Sequence, residues 1–335
     1  MTTKDSRGRS RSDAEITSVT AIRPDVRPDP TTNPPFTSDF GSVRKPNDGA
    51  LQGTTPHQRR RVRDLGRLSK QLSDRDWAIL RSVAEHGYLT MSHIHVLHFG
   101  QMPTASGLRT AQRVLARLRR DRVLASLKQR IGGHQSGSNA TIHYVDEIGD
   151  RLLRHASHRQ TRRPFREPTE RFLDHQLSIA DAHVTLVQAE RERQLELLRC
   201  DIEPTSWRSY VGVGGARLTL KPDLYAETAT SPDSDYVDAA FVEIDKGTES
   251  IPTLIRKCRE YEAYRRQGIE QEAADGAFPT VIWSMTAATA PKAERRRIAL
   301  RDAIATDRHL PDRLFQVITP HELIPAMQKG AEYDR

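Results

Sequence analysis

Two short acidic motifs, each beside a strand-like run, constrain the second half of this 335-residue sequence. Asp223 follows the run 216–220, and Glu243 and Asp245 lie within the run 239–245. Because side chains alternate along a strand, Glu243 and Asp245 share one face of it. If the two strands are neighbours, three carboxylates converge, and such a cluster needs a cation or a basic group to neutralise it. The spacing predicts a divalent-metal site formed by Asp223, Glu243 and Asp245, or the remnant of one.

Phosphodiester cleavage at such a site uses Mg²⁺ and a lysine that stabilises developing charge or orients water. A lysine two residues after Glu243 would share its face, but Asp245 stands there. The candidate catalytic lysines are Lys246, one residue further, and Lys257 on the helix predicted to follow. A sheet end with solvated carboxylates explains the same motifs, and the residues alone leave both interpretations open.

The charge is distributed unevenly along the chain. The net charge is +8, with a sequence pI near 9.6, which favours an anionic partner. Residues 1–170 hold 30 Lys and Arg against 17 Asp and Glu, whereas residues 171–335 hold 22 against 27. This asymmetry predicts nucleic-acid contact in the first half and a different role for the second, although a basic tail alone would also produce it.

Cysteines and hydropathy exclude two classes of protein. Cys200 and Cys258 have neither the spacing of metal ligands nor the number needed for a disulfide framework. No apolar run is long enough to span a membrane or to serve as a signal peptide. We expect a cytoplasmic protein without a membrane partner.

The pattern of residues 67–157 is typical of a winged helix-turn-helix. Residues 1–66 are rich in proline and basic residues and predict a disordered arm. Ser73 and Thr90 suit the starts of two helices, and a third is predicted over about 104–120. The strand-like runs 123–127 and 140–144 then flank a glycine-rich tip, which indicates a β-hairpin.

The third helix of this unit is the one expected to enter the major groove of duplex DNA. The early residues of this helix would face the bases, and its later arginines would contact the phosphates. Two basic residues of the hairpin tip would contact an adjacent phosphate. The DNA-binding candidates are Arg109, Thr110, Arg113, Arg117, Arg120, Lys128 and Arg130. A winged helix that contacts a protein, with solvated arginines, is the alternative.

A second domain is predicted over residues 169–330, after an arginine- and proline-rich linker. It opens with a long helix over about 169–193, whose apolar residues recur at helical spacing. Strand-like runs near 207–211, 217–221 and 238–245 follow, then helix, strand, helix and strand in turn. This order predicts a mixed α/β sheet flanked by helices.

The motifs taken together resemble the replication-relaxation family of actinobacterial plasmids and mobile elements. The resemblance covers roughly residues 72–264. The motifs that carry it, in chain order, are Leu72-Ser73-Asp74-Arg75-Asp76, Arg113-Val114-Leu115-Ala116-Arg117-Leu118, His175-Gln176-Leu177, Lys221-Pro222-Asp223, Val242-Glu243-Ile244-Asp245-Lys246-Gly247-Thr248-Glu249 and Lys257-x-x-x-Tyr261-x-x-Tyr264.

The resemblance implies a two-domain α/β protein, with a winged helix followed by a restriction-endonuclease-like domain of the PD-(D/E)xK kind. Asp223 would match the first acid of that motif and Glu243 the second. Asp245 departs from the expected lysine, which implies either a migrated lysine, Lys246 or Lys257, or a lost activity. The implied partners are double-stranded DNA and replication or conjugation proteins.

Three functions are compatible with these expectations. The first is a DNA-binding protein of plasmid replication and DNA relaxation, with an inactive nuclease-like domain. The second is a Mg²⁺-dependent nicking endonuclease, and the third is a winged-helix transcriptional regulator.

Overall fold

The structure is a computed structural model that describes residues 65–127, 141–157, 165–311 and 313–328. Residues 1–64 of the arm predicted over residues 1–66 therefore lie outside the described residues, as do Lys128 and Arg130 of the hairpin tip. The first described helix begins at Leu65, two residues inside the segment that the sequence predicted to be disordered.

The first half of the described chain combines helices with a small antiparallel sheet. Three strands form this sheet in the order β1-β3-β2, so the short β1 adds an edge to the predicted hairpin. The elements are α1 (Leu65–Gln71), α2 (Asp74–His86), β1 (Leu89–Thr90), α3 (Met91–Phe99), α4 (Thr104–Arg120), β2 (Leu124–Ser126), β3 (Ile142–Val145) and α5 (Glu147–Ala156).

Caps explain where the helices of this half begin and end. The Ser73 side chain accepts a hydrogen bond from the backbone N–H of Asp76, and the Asp76 carboxylate accepts one from Ser73 in return. Thr90 and His93 form the same reciprocal arrangement at the start of α3. Gly87 ends α2 with a φ of 74°, a conformation that favours glycine. The predicted helix starts at Ser73 and Thr90 are thus confirmed.

The second half is built around a five-stranded mixed sheet with the order β10-β9-β8-β7-β4. The pairs β8–β9 and β9–β10 are parallel, whereas β4–β7 and β7–β8 are antiparallel. The elements are α6 (Glu170–Arg191), β4 (Glu196–Ile202), β5 (Arg208–Val211), β6 (Arg217–Leu220), β7 (Leu224–Ala229), β8 (Asp238–Asp245), α7 (Ile251–Arg265), α8 (Ile269–Ala273), β9 (Thr280–Met285), α9 (Ala290–Thr306), β10 (Phe315–Ile318) and α10 (Leu323–Gln328). This arrangement confirms the predicted α/β class.

Helices cover both faces of this sheet. Side chains along β8 alternate between the two faces, so neighbouring residues of this strand pack against different helices. Val242 packs with residues of α6 and α10. Phe241 points to the opposite face, where Tyr261 of α7 and Leu300 of α9 pack. Glu243 and Asp245 follow Phe241 at intervals of two, so they lie on the α7–α9 side, as the alternation predicts.

The strand that precedes Asp223 in the sequence is not the strand that pairs with β8. β6 pairs with β5 in a separate two-stranded sheet. Asp223 instead immediately precedes β7, which pairs antiparallel with β8. Because β7 starts at the edge where β8 ends, Asp223 still approaches Glu243, although by a different route from the predicted one.

Helix α6 packs against both halves of the described chain. Ile179 and Leu186 join the core between α6 and the five-stranded sheet, whereas Ala180 joins the core of the first half. The Arg191 guanidinium donates to the backbone carbonyls of Val96 and Leu97 at the end of α3. The predicted apolar stripe of α6 is therefore one of two buried faces of the helix.

Polar contacts add to this packing between α6 and the first half. His93 Nε2 lies 2.8 Å from Asp181 Oδ1. The rings of His86 and His183 are stacked, with His86 Nε2 3.0 Å from His183 Nδ1. These contacts join α2 and α3 to the helix that also borders the acidic motifs.

Candidate functional site

The strand pairing brings Asp223 and Glu243 to the same edge of the sheet. Leu224 pairs with Val242, so Asp223, one residue earlier, lies opposite Glu243, one residue later. The backbone N–H of Ile244 donates to Asp223 Oδ2 at 2.7 Å and fixes that carboxylate against β8. Both carboxylates are buried, with 7% of Asp223 and 1% of Glu243 exposed.

Helix α7 supplies two partners for the Glu243 carboxylate. The ammonium of Lys257 donates to Oε2, and the hydroxyl of Tyr261 donates to Oε1 at 2.5 Å. Because residues four apart lie on the same side of a helix, one face of α7 delivers both donors. We call Asp223, Glu243 and Lys257 the acid–lysine cluster.

Helix α6 and the end of β4 border the acid–lysine cluster on its other side. His175 Nε2 lies 3.3 Å from Asp223 Oδ1. The neighbouring Gln176 donates from Nε2 to Glu203 Oε1 at 2.5 Å. Glu203 follows β4 directly, and its backbone N–H donates to the carbonyl of Asp223 at 3.1 Å. A third carboxylate therefore borders the cluster, and it is Glu203, which the sequence motifs do not indicate.

The charges of these groups depend on one another. Burial alone would raise the pKa of Asp223, but the hydrogen bond from His175 and the charge of Lys257 hold it below its ordinary value. Burial raises the pKa of Glu243; the Lys257 charge opposes the rise, and the Asp223 charge adds to it. Burial would lower the pKa of Lys257, yet the charges of Glu243 and Asp223 raise it, so that its amine stays protonated at neutral pH.

Two of the predicted site residues lie outside the acid–lysine cluster. The Asp245 carboxylate accepts hydrogen bonds from Arg296 of α9 at 2.8 and 3.2 Å. Lys246 points to the α6 side, where its amine lies 2.9 Å from Ser178 Oγ and 3.3 Å from Asp174 Oδ2. The sequence predicted Asp245 as the third carboxylate of the site, whereas in the structure its side chain is paired with Arg296. Of the two candidate lysines, Lys257 is the one that contacts Glu243.

The donor set of the cluster suits a hard cation, but its oxygens are already engaged. Carboxylates are the ligands that Mg²⁺ prefers, and Asp223 and Glu243 supply two. All four of their oxygens accept hydrogen bonds from His175, Ile244, Lys257 and Tyr261. Within residues 65–127, 141–157, 165–311 and 313–328, no group of three or more His, Cys, Asp or Glu is arranged to hold a metal ion. A cation bound here would share carboxylate oxygens that already accept hydrogen bonds, and it would lie beside the positive charge of Lys257.

Helix α4 presents a stripe of arginines. Arg109, Arg113 and Arg120 are exposed, and at 100° per residue they lie within about 40° of one another around the helix axis. We call these three residues the arginine stripe. Thr110 is half-buried and accepts a weak hydrogen bond from Arg113 at 3.4 Å.

Arg117 has a different environment from the arginine stripe. Its guanidinium donates to Asp76 Oδ1 at 2.6 Å, and Asp76 is buried, with 1% exposed. Arg117 therefore connects α4 to the cap of α2. The predicted position of Arg117 beside DNA phosphates is not supported by this contact, since the guanidinium already neutralises a buried carboxylate.

The fold defines a mixed α/β protein with a helical first half, and comparison with known proteins gives its family. A model of the replication-relaxation family matches residues 80–281, more than half of the chain. The protein belongs to the replication-relaxation family, which indicates a role in replication or relaxation of DNA. No curated protein and no solved structure matches the chain. Each helix in the described ranges is too short or too polar to cross a lipid bilayer.

Proposed function

We propose that this protein binds duplex DNA during plasmid or mobile-element replication and relaxation, and that α4 is its recognition helix. The observation that carries the proposal is the arginine stripe of α4. Helices α2, α3 and α4 with the sheet β1-β3-β2 follow the order of a winged helix-turn-helix, in which the third helix enters the major groove. The net charge of +8 and the family assignment support a DNA partner.

The arginine stripe suits phosphate and base contacts because its side chains are exposed and have few partners within the protein. Arg109 donates to the backbone carbonyl of Ala105 on its own helix, and Arg120 has Asp121 as a weak neighbour at 3.3 Å. Guanidinium groups bind phosphate and the edge of guanine through paired donors. The stripe would therefore both position the helix and read bases.

The test is the affinity of the full chain for a fluorescent duplex, measured by anisotropy. We expect Arg109→Ala and Arg113→Ala to weaken binding, and Arg117→Ala to affect protein stability instead. Arg117 is the matched control because it lies on the same helix but neutralises Asp76. Equal affinities of wild type, Arg109→Ala and Arg113→Ala would refute the recognition role of α4.

A second candidate function, Mg²⁺-dependent nicking of DNA, is favoured by the contact between Lys257 and Glu243. In this role Asp223 and Glu243 would hold Mg²⁺, which supplies charge neutralisation at a phosphodiester. Lys257 would leave Glu243 and donate to a phosphate oxygen, where its positive charge stabilises the charge that develops. His175 and Tyr261 would hold the two carboxylates in place.

Supercoiled plasmid incubated with the protein and Mg²⁺ separates this candidate from simple DNA binding. Nicking predicts open circles that disappear in Asp223→Asn, Glu243→Gln and Lys257→Met. Lys246→Met should keep the activity, because Lys246 contacts α6 and not the acid–lysine cluster. Supercoils that stay intact with wild-type protein would remove the nicking function and leave the DNA-binding proposal standing.

A further inference from the structure

Four aromatic side chains form a connected group between the first half of the chain and α6. The rings of Tyr144 and Phe165 are stacked, with centroids 4.2 Å apart and planes inclined by 20°. Tyr88 lies 6.4 Å from Tyr144 and 6.3 Å from Phe172, ring centre to ring centre. We call Tyr88, Tyr144, Phe165 and Phe172 the aromatic platform.

The outer ring of the aromatic platform is open to solvent. Phe165 is 50% exposed although one face of its ring packs on Tyr144. The other three rings are half-buried: Tyr144 lies beneath Phe165, Tyr88 packs on Tyr144, and Phe172 packs on Tyr88. Exposed aromatic surface on a rigid base is what a stacking ligand needs, because the protein ring loses little freedom when it binds.

Positive charge lies beside the aromatic platform. Arg166 follows Phe165 directly and is exposed, and its backbone carbonyl accepts a hydrogen bond from the Tyr88 hydroxyl. Arg171 is exposed and donates to Thr248 Oγ1 at 2.8 Å, in the loop between β8 and α7. Two acidic side chains, Asp146 and Glu167, act electrostatically on the Tyr144 hydroxyl, and Asp146 is paired with Arg122. A negatively charged backbone is therefore expected along the arginines and not over that hydroxyl.

The aromatic platform is continuous with the acid–lysine cluster through α6. Arg171 and Phe172 precede His175 by four and three residues, which is about 6 and 4.5 Å along the helix axis. His175 in turn contacts Asp223. A strand whose bases occupied the platform would thus have its backbone within a few nucleotides of the buried carboxylates.

We propose that the aromatic platform binds unpaired bases of single-stranded DNA, with Phe165 as the ring on which a base stacks. Duplex DNA keeps its base faces inside the helix, so only an unpaired base can offer its face to an exposed ring. Arg166 and Arg171 bind the phosphates of the same strand. The inference rests on the proposed action on DNA, and it adds a second binding site, distinct from α4, for the strand that relaxation or replication exposes.

The test compares single-stranded oligonucleotides of equal length, with and without bases, by anisotropy on the full chain. We expect the abasic strand to bind about 5- to 100-fold more weakly to the wild-type protein, and Phe165→Ala to weaken binding of the normal strand by a similar factor. Phe165→Trp should keep the affinity. Tyr236→Ala is the matched control, since Tyr236 is an aromatic 65% exposed at another place on the surface.

Fluorescence of a 2-aminopurine base in the oligonucleotide reports stacking directly, and we expect quenching by wild type and none by Phe165→Ala. An abasic strand that binds as tightly as the normal one would overturn the proposal even if the Phe165 variant failed to fold. Equal affinities of wild type and folded Phe165→Ala would also overturn it. In one further outcome, Arg113→Ala leaves duplex binding intact while single strands still bind in a base-dependent way. That result would refute the recognition role of α4 and would support the proposed role of the aromatic platform.

Discussion

Replacement of Lys257 by methionine tests whether the acid–lysine cluster depends on its buried ion pair. The Lys257 ammonium bonds to Glu243, whose side chain is 1% exposed, and its charge also acts on Asp223. Methionine keeps most of the volume of the lysine side chain but leaves Glu243 buried beside another carboxylate without a compensating cation. Removal of one partner of a buried pair costs about 3–5 kcal/mol of stability.

Protonation of Glu243 limits that loss and makes it depend on pH. In wild type the pKa of Glu243 is raised by burial to about 8, although the Lys257 charge opposes the rise. Without that charge the pKa of Glu243 rises further, so above pH 8 the folded variant keeps a proton that folded wild type releases. Each pH unit over which this difference persists adds about 1.4 kcal/mol to the loss of stability in the variant, so we expect the loss relative to wild type to be larger at pH 9 than at pH 6.5.

Urea unfolding followed by tryptophan fluorescence at pH 6.5 and 9 measures this loss. Lys246→Met is the matched control, because Lys246 pairs with Asp174, which is 47% exposed, and such pairs contribute about 0–1 kcal/mol. A Lys257→Met/Glu243→Gln double variant should lose the pH dependence. The reasoning is refuted if Lys257→Met destabilises the protein equally at both pH values, or no more than Lys246→Met.

Three further predictions concern contacts outside the acid–lysine cluster. Arg117→Met should lower stability by about 2 kcal/mol in urea unfolding, because it leaves the buried Asp76 carboxylate without its cation. Burial lowers the pKa of His86 to about 3 and of His183 to about 4, so stability should fall as pH drops below 6.5, by up to about 1.4 kcal/mol per pH unit for each. Arg191→Met should lower stability by about 1–3 kcal/mol and speed hydrogen exchange at the end of α3, where two carbonyls lose their donor.

Each of these predictions has a contradicting result. Unchanged stability in Arg117→Met would show that Asp76 does not need its partner. A His86→Leu/His183→Leu variant with the same acid sensitivity as wild type would assign the pH dependence to other groups. Exchange rates in α3 that do not respond to loss of Arg191 would show that α6 does not restrain that helix end.

The helices of the first half could be predicted from the sequence because their signals are local. The Ser73 and Thr90 caps and the glycine at position 87 place the ends of α2 and α3 within a residue of the structure. Helix α4 spans Thr104–Arg120, the same residues as its predicted range. Each of these signals lies within a few residues of the feature that it determines.

The sheet was harder to predict, because strand pairing depends on residues far apart in the chain. The sequence pattern does not predict β4, which has a register shift between Leu197 and Arg199, or β7, where five of six residues are buried and the alternation disappears. Without β7, the strand before Asp223 was assigned to the main sheet, although β6 pairs with β5. The proximity of Asp223 and Glu243 could still be predicted, because Asp223 immediately precedes β7 and Glu243 lies near the end of β8 at the same edge of the sheet.

Contacts between distant side chains set the limit of what could be inferred about the site. The spacing of Lys257 and Tyr261, four residues apart on a helix after β8, is a signal that could have indicated both donors to Glu243. His175 contacts Asp223 because α6 packs across the sheet edge, and the local sequence does not indicate this contact. Nothing local distinguishes Arg117 from Arg113, and only the fold shows that Arg117 meets Asp76.

The salt dependence of duplex-DNA affinity tests the proposed role of α4 most directly. The slope of log K against log salt counts the phosphates that the protein neutralises, at about 0.9 per contact on B-DNA. We predict a steep slope for wild type, a slope shallower by about one contact for each of Arg109→Ala and Arg113→Ala, and an unchanged slope for folded Arg117→Met. A flat response in wild type, or equal slopes in wild type and both stripe variants, would contradict arginine-led docking of α4 on DNA.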